Sequence, residues 1–283
     1  MTGVQMSGGL GNQMFEYALY LKLKSLGRQV KMDDFTCYGP GERPKQLGVF
    51  GLSYDVLTKE EYNALTDSWM DPVSRVRRKL TGRKDLSYRE RDCNFDEQVL
   101  TKEPALLLGY FQSEKYFKDI EEQVRKAFAF RCYEPSERVK EYEDRIQRCL
   151  AVSLHVRRGD YLKPENIKQF GDIFGEGYYD RALARMKELF PEAVFYVFSN
   201  DTKWAKAHYT GEEFIVVDCC DEDSGYADMY LMSKCRHHII ANSSFSWWGA
   251  WLNASPHKKV IAPKRWFADR ECVDIYTQEM EKL

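Results

Sequence analysis

Between Gln13 and Leu26 the apolar residues fall at helical spacing, with Met14, Phe15, Ala18, Leu19 and Leu23 forming one stripe. Asn12 reads as the N-cap of that helix and Gly27 as its close. The strand-like Val4-Gln5-Met6 precedes it and Gln29-Val30-Lys31-Met32-Asp33 follows. The chain therefore opens on a β-α-β unit whose first turn is Ser7-Gly8-Gly9-Leu10-Gly11. From Thr36 to Arg91 the pattern is weak, apart from a capped short helix over Thr58–Leu65. Leu106-Leu107-Leu108-Gly109-Tyr110-Phe111 reads as a buried strand, Ser113 as the cap of a helix to about Ala127, and Ser136–Arg148 as a charged helix.

The second half has a clearer rhythm. Strands at 151–156, 194–198, 214–217, 238–241 and 259–262 alternate with helices at 178–190, 226–235 and 244–253. Strands alternating with helices predict a parallel, doubly wound sheet. The fold class is α/β, with one domain over 1–145 and a second over 146–283. No fixed-period repeat or low-complexity segment interrupts it.

Charge changes the picture little. Lys and Arg number 42 against 44 Asp and Glu, a net of -2, so nothing in the balance favours nucleic acid or a membrane surface as partner. An anionic ligand has to be met locally, by placed arginines and helix ends. Residues 75–84 hold six basic side chains with little aromatic interleaving, which reads as a solvated face. No charged leader followed by a long apolar core opens the sequence, and no uncharged stretch is of spanning length. The expectation is a cytoplasmic protein without a membrane span, peripheral association being left open. The eight cysteines are scattered without metal-ligand spacing and are expected to be reduced thiols.

Three strand ends of the second half carry polar groups: His155-Val156-Arg157-Arg158, Phe198-Ser199-Asn200-Asp201 and Asn242-Ser243-Ser244. In an open parallel sheet, ligands sit outside the carboxyl ends of the strands. Arginines delivered there are permanently charged, forked donors to phosphate. Ser243 or Ser244 would cap the apolar helix Phe245-Ser246-Trp247-Trp248-Gly249-Ala250-Trp251-Leu252, so an anion would meet a helix N-terminus on one side and Arg157 on the other. Asp201 is the kind of carboxylate a guanine edge requires for its N1–H and N2–H₂ donors. Arg158 either reaches phosphate or braces Asp160. In the first turn, the dinucleotide fingerprint fails because Met14 stands where glycine is needed, and no Gly-Lys-Ser/Thr makes a P-loop. Gly9, Gly11, Asn12 and Gln13 remain as an open helix start suited to a polar ligand or a domain contact. Asp221-Glu222-Asp223 fits the Asp-x-Asp pattern of metal-dependent glycosyltransferases, but an acidic loop of this kind reads as solvated.

Ser7-Gly8-Gly9-Leu10-Gly11-Asn12-Gln13-Met14-Phe15, His155-Val156-Arg157-Arg158-Gly159-Asp160-Tyr161, Phe198-Ser199-Asn200-Asp201 and the run Asn242–Leu252 occur in that order. Together with Gly109–Phe117 and Ala262-Pro263-Lys264, the chain resembles the α-1,2-fucosyltransferases of glycosyltransferase family 11, including its bacterial members. The resemblance implies a GT-B-like pair of Rossmann-type domains with parallel sheets facing a central cleft. It implies an N-terminal acceptor-side domain and a C-terminal domain that binds GDP-β-L-fucose. It further implies inverting transfer of fucose to the 2-OH of a galactoside oligosaccharide or O-antigen acceptor, with no cofactor and no metal. By position it assigns Arg157 to the β-phosphate and His155, Arg158, Ser199, Asp201, Asn242, Ser243, Ser244 and Phe245 to the donor side. Asp160 and Glu16 are the two candidates for a general base. Two alternatives stand beside this reading: a metal-independent transferase using another nucleotide sugar, and a carbohydrate-binding module suggested by six tryptophans. Trp247, Trp248 and Trp251 lie on an apolar helix and are more simply core.

Overall fold

The computed structural model describes residues 1–39, 43–158, 163–220 and 224–283. The chain divides into two compact units, Met1–Ala129 and Phe130–Leu283. The charged helix that the sequence reading set at the boundary belongs to the second unit, because its Val139 and Ile146 are buried in that unit's core.

The first unit runs β1 (Thr2–Gln5), α1 (Leu10–Ser25), β2 (Val30–Asp33), α2 (Lys59–Thr66), α3 (Pro72–Thr81), β3 (Ser87–Arg89), α4 (Gln98–Thr101), β4 (Ala105–Leu108) and α5 (Glu121–Ala127). Its four strands pair in parallel in the order β2-β1-β4-β3. The chain thus steps one way from β1 to β2 and the other way to β4, leaving a switch point between β1 and β4. Helix α1 starts earlier than the sequence reading has it, with Gly9 rather than Asn12 at the N-cap. The cause is local: the Asn12 and Gln13 N–H groups already donate to the Gly9 carbonyl, at 3.0 and 3.1 Å. Helix α2 carries the expected reciprocal cap between Thr58 and Glu61. The single helix expected after Ser113 is instead two 3₁₀ turns, Glu114–Tyr116 and Lys118–Ile120, followed by α5. Phe117, at φ -138°, separates the two turns and is fully buried.

The second unit runs α6 (Glu137–Gln147), β5 (Ala151–Val156), α7 (Pro164–Phe170), α8 (Tyr178–Leu189), β6 (Val194–Ser199), α9 (Thr202–His208), β7 (Phe214–Val216), α10 (Gly225–Lys234), β8 (His237–Ile239), α11 (Ser244–Leu252), β9 (Val260–Ala262) and β10 (Met280–Lys282). The six strands are all parallel, in the order β10-β9-β8-β5-β6-β7. Numbered from β5, this is the doubly wound Rossmann order, with its switch point between β5 and β8. Every residue of β5 is buried, as expected for a central strand covered on both faces. The strand alternation sorts the core into two layers. Val152, Leu154, Val156, Phe195 and Val197 pack with Tyr178, Ala182 and Met186 of α8. Ala151, Tyr196 and Phe198 pack on the opposite side with α6 and with Leu231 and Met232 of α10.

Helix α11 confirms the core reading of its tryptophans. Trp247, Trp248 and Trp251 are buried, and the Trp247 indole N–H donates to the Ile275 carbonyl at 2.7 Å. Truncating any of the three would cost about 3–5 kcal/mol. Two Rossmann-type parallel-sheet units, the GT-B-like composition anticipated above, therefore make up the chain. Cys37, Cys132, Cys149, Cys219, Cys220 and Cys235 are free thiols. Among the described residues, no helix is long and apolar enough to cross a membrane.

Candidate active site

At the β5/β8 switch point two polar strand ends stand side by side. β5 and β8 pair from Val152–His237 to Leu154–Ile239, so the segments that follow them leave the sheet as neighbours. His155, the penultimate residue of β5, is 5% exposed, and its ring centroid lies 5.7 Å from that of Phe245 on α11. Burial, reinforced by the Arg157 charge, pushes the His155 pKa down to about 3. The imidazole is therefore neutral at physiological pH, and its Nδ1 is buried without a hydrogen-bond partner. Arg157 follows at the strand end, half-buried. From the other strand, Asn242 fixes the loop by donating to the Phe170 and Trp266 carbonyls, at 2.7 and 3.1 Å. Ser243 then occupies the N-cap of α11 and makes no side-chain cap bond, and Ser244 begins the helix. A cationic strand end beside a helix N-terminus is suited to an anion.

The β6 end supplies the third group. Asn200 pins the backbone of Arg158, accepting its N–H at 2.9 Å and donating to its carbonyl at 3.4 Å. The Arg158 guanidinium lies 3.8 Å from the Trp204 ring centroid and 5.6 Å from that of Phe174, a cation held between aromatic faces. Its Nε is 3.7 Å from Asp201 Oδ2. Asp201 caps α9, with Oδ1 accepting the Trp204 N–H at 3.0 Å, while Ser199 Oγ accepts the Asp201 N–H at 3.1 Å. Arg158 is thus tied to Asp201. Its alternative partner in the sequence reading, Asp160, lies outside the described residues, as does Asp221-Glu222-Asp223.

The first unit's switch point is built from the Ser7–Gly9 turn after β1 and the Gly109–Gln112 segment after β4. Gly8 makes the turn, at φ +70°, where a Cβ would lie 2.7 Å from the Asn12 amide nitrogen. Gly9 has ordinary helix-entry geometry, and a Cβ there would meet nothing within 4 Å. Asn12 Oδ1 accepts from Gln112 Nε2 at 2.8 Å. Gln13 donates to the Gly8 and Pro44 carbonyls and accepts the Gln46 N–H, each at 2.9 Å, so its side chain ties the turn to the 44–46 segment. Gly11 lies buried in the first turn of α1. Fully buried Glu16 is held by Ser7, whose N–H and Oγ donate to its two carboxyl oxygens at 2.9 and 3.0 Å. Burial raises the Glu16 pKa well above the usual carboxylate value, the Ser7 bonds oppose the rise, and Glu90 adds to it. Glu90 in turn accepts the N–H groups of Tyr110 and Phe111.

Gly8, Asn200, Trp204 and Phe174 are among the residues that sequence reasoning missed. Gly8 lay inside the quoted turn but was not singled out, and Asn200 likewise lay inside the Phe198–Asp201 run. Trp204 and Phe174 gave no signal, since their role depends on α9 and a loop that bring them onto Arg158. One further cluster of metal-capable side chains stands among the described residues, Cys219, Cys220 and Asp228, where burial raises the Asp228 pKa to about 7.

Fold and site together define a Rossmann-type protein whose second switch point sets an arginine-bearing strand end beside a helix N-terminus. The family described as Glycosyl transferase family 11 matches residues 89–281, a range that takes in the polar strand ends from His155 to Phe245. The chain is 32% identical to the O-antigen biosynthesis glycosyltransferase WbnK of Escherichia coli, over 93% of this chain and 94% of that one. It is equally 32% identical to an alpha-1,2-colitosyltransferase of Escherichia coli, over 94% and 92%. Identity to galactoside alpha-(1,2)-fucosyltransferase 1 of Ateles belzebuth is 28%, over 87% of this chain and 63% of that protein. The chain belongs to glycosyl transferase family 11. It is a glycosyltransferase.

Proposed function

We propose that this glycosyltransferase moves L-fucose from GDP-β-L-fucose to the 2-hydroxyl of a galactose-containing glycan, an O-antigen galactoside in the cell, inverting the anomeric carbon and using no metal. The observation that carries the reading is the β5/β8 switch point, where the Arg157 strand end and the start of α11 emerge side by side. In fucosyl transfer the diphosphate leaves with growing negative charge while the sugar becomes oxocarbenium-like. Arg157 and the N-terminal N–H groups of α11 are donors fixed before the reaction, so they stabilise that charge as it develops without reorganising. Neutral His155 adds no competing charge and offers Nδ1 to the nucleotide. Asp201 keeps Oδ2 for the guanine N1–H and N2–H₂ donors, with Arg158 Nε alongside at 3.7 Å.

The acceptor hydroxyl must lose a proton as it attacks. Glu16 is one of two candidates for that step: a raised pKa makes it a better base once ionised, and Ser7 holds both oxygens. Asp160 is the second candidate. The reaction is proposed to take place in the cytoplasm.

A second reading is favoured by the likeness to the colitosyltransferase. Colitose is fucose without its 3-hydroxyl, so the diphosphate end of the site serves both, and only contacts to one hydroxyl separate them. The test is turnover of GDP-fucose and GDP-colitose with lactose in EDTA, comparing wild type with Arg157→Ala. Fucose transfer that disappears in the variant supports the first reading, and transfer of colitose alone supports the second. GDP binding without turnover moves the search to the acceptor. Absence of GDP binding ends the proposal.

A further inference from the structure

Helix α3 presents its apolar side to solvent. Val73, Val76 and Leu80 follow i, i+3, i+7 spacing and are 78%, 57% and 80% exposed, with Met70 just before the helix at 80%. No residue of α3 is buried. What holds the helix is its polar side. Arg77 pairs with Asp67, while Arg78 donates to the Asp67 and Trp69 carbonyls at 3.0 and 2.6 Å. Asp71 caps the helix by accepting the Ser74 N–H at 2.8 Å, and Pro72 occupies its first turn. Surface helices ordinarily bury their apolar stripe and expose their charges; here the arrangement is reversed. A contiguous exposed apolar stripe of this kind marks an interaction surface.

The charges beside the stripe identify what it fits. Arg75 and Lys79, one turn apart, are exposed along its border, and Arg83 and Lys84 are exposed just beyond the helix. Between Met70 and Lys84 the sole acidic residue is Asp71, which is engaged as the cap. The whole chain carries a net charge of -2, so this is a local concentration of cations around an apolar line. An anionic phospholipid surface satisfies both, the acyl boundary taking the apolar side chains and the headgroups the cations. A second copy docked through the same stripe would bring like charges together. We propose that α3 is a peripheral membrane anchor, seating Met70, Val73, Val76 and Leu80 in an anionic lipid surface with Arg75, Lys79 and Lys84 at the headgroups. The proposal goes beyond the donor and acceptor reading and does not depend on it.

The test is co-sedimentation of the full chain with phosphatidylcholine vesicles and with vesicles containing phosphatidylglycerol. Binding to the anionic vesicles is expected to exceed binding to the neutral ones by about tenfold or more and to fall with salt. Arg75→Glu with Lys79→Glu is expected to lower it by at least about tenfold, and Val73→Ser, Val76→Ser and Leu80→Ser together to abolish it. All variants should keep the wild-type melting temperature and the wild-type turnover of a water-soluble acceptor, since α3's exposed stripe holds nothing in place. Equal binding to both vesicle types, no binding to either, or binding indifferent to the variants would overturn the proposal. So would a wild-type dimer in analytical ultracentrifugation that the triple serine variant converts to monomer, which would make α3 a contact between copies.

Discussion

The two switch points obey one topological rule and are furnished in opposite ways. In the first unit the polar side chains are spent on one another and on the backbone. Gln13 ties two segments together, Asn12 meets Gln112, Ser7 holds both oxygens of Glu16, and Glu90 accepts two backbone N–H groups. In the second unit the switch point gathers a cationic strand end, an unpartnered buried histidine nitrogen and a helix whose N-cap serine makes no cap bond. The first arrangement produces a shape and a buried carboxyl of raised pKa, Glu16. The second produces positive potential. A site that meets a diphosphate needs the second kind, and a site that orients a neutral hydroxyl and takes its proton is served by the first.

The sharpest way to break this comparison is to remove the charge from the second switch point. Arg157→Ala is expected to lower kcat by about 10³-fold or more while leaving the melting temperature near wild type. Near-wild-type turnover would show that the helix start alone carries the leaving charge. Glu16→Gln comes next. If the first switch point supplies the base, kcat falls by about 10²-fold or more with little change in the donor KM. An unchanged kcat would transfer the role to Asp160 or remove the need for a base.

Stability against pH separates the two regions by sign. Glu16 has a folded-state pKa raised by burial, so its contribution to folding is fully present below about pH 4.5 and is lost as pH rises through the folded value. His155 is depressed to about 3, by burial first and the Arg157 charge second. Its contribution is present above the unfolded value near 6.5 and drains away as pH falls toward 3. Between pH 6.5 and 5 that loss is about 2 kcal/mol. Denaturant melts should therefore show Glu16→Gln gaining relative to wild type at pH 8 and His155→Gln gaining relative to wild type at pH 5. The same sign of pH dependence for both variants would contradict the assigned environments.

How far the sequence reveals these regions follows from the same physics. β5 was legible to the residue, because a central parallel strand is a continuous apolar run and its polar exit is abrupt. α11 was legible because its tryptophans are core and a serine stands at its N-cap position, although that side chain makes no cap bond. β10 was not, since Met280–Lys282 is a short edge strand that is half-exposed and gains its partner, Val260–Ala262, only through tertiary structure. The start of α1 was misplaced because Asn12 has a cap-like side chain that is in fact drawn to Gln112, a residue one hundred positions away. Residues 36–91 hid α3 for a different reason: its Arg77 and Arg78 face the protein and its valines face solvent, the inverse of the pattern by which a helix is read.

The smallest effect concerns the residue that sequence could not place. Arg158 has three neighbours from three parts of the chain: Trp204 on α9, Phe174 before α8, and Asp201 at the β6 exit. If the aromatic faces exist to orient the guanidinium toward Asp201 and the nucleotide, Trp204→Leu should weaken donor binding and leave the chemical step alone. The expected signature is a donor KM raised about fivefold, the size of a partly desolvated cation–π contact, with kcat nearly unchanged. Trp204→Phe, which keeps a ring under the cation, should recover most of the loss. A merely structural role for Trp204 predicts something else: both variants would lower the melting temperature in proportion to the volume removed, and KM and kcat would move together. The split between KM and kcat, with its rescue by phenylalanine, therefore decides whether Arg158 belongs to the donor site or only to the packing behind it.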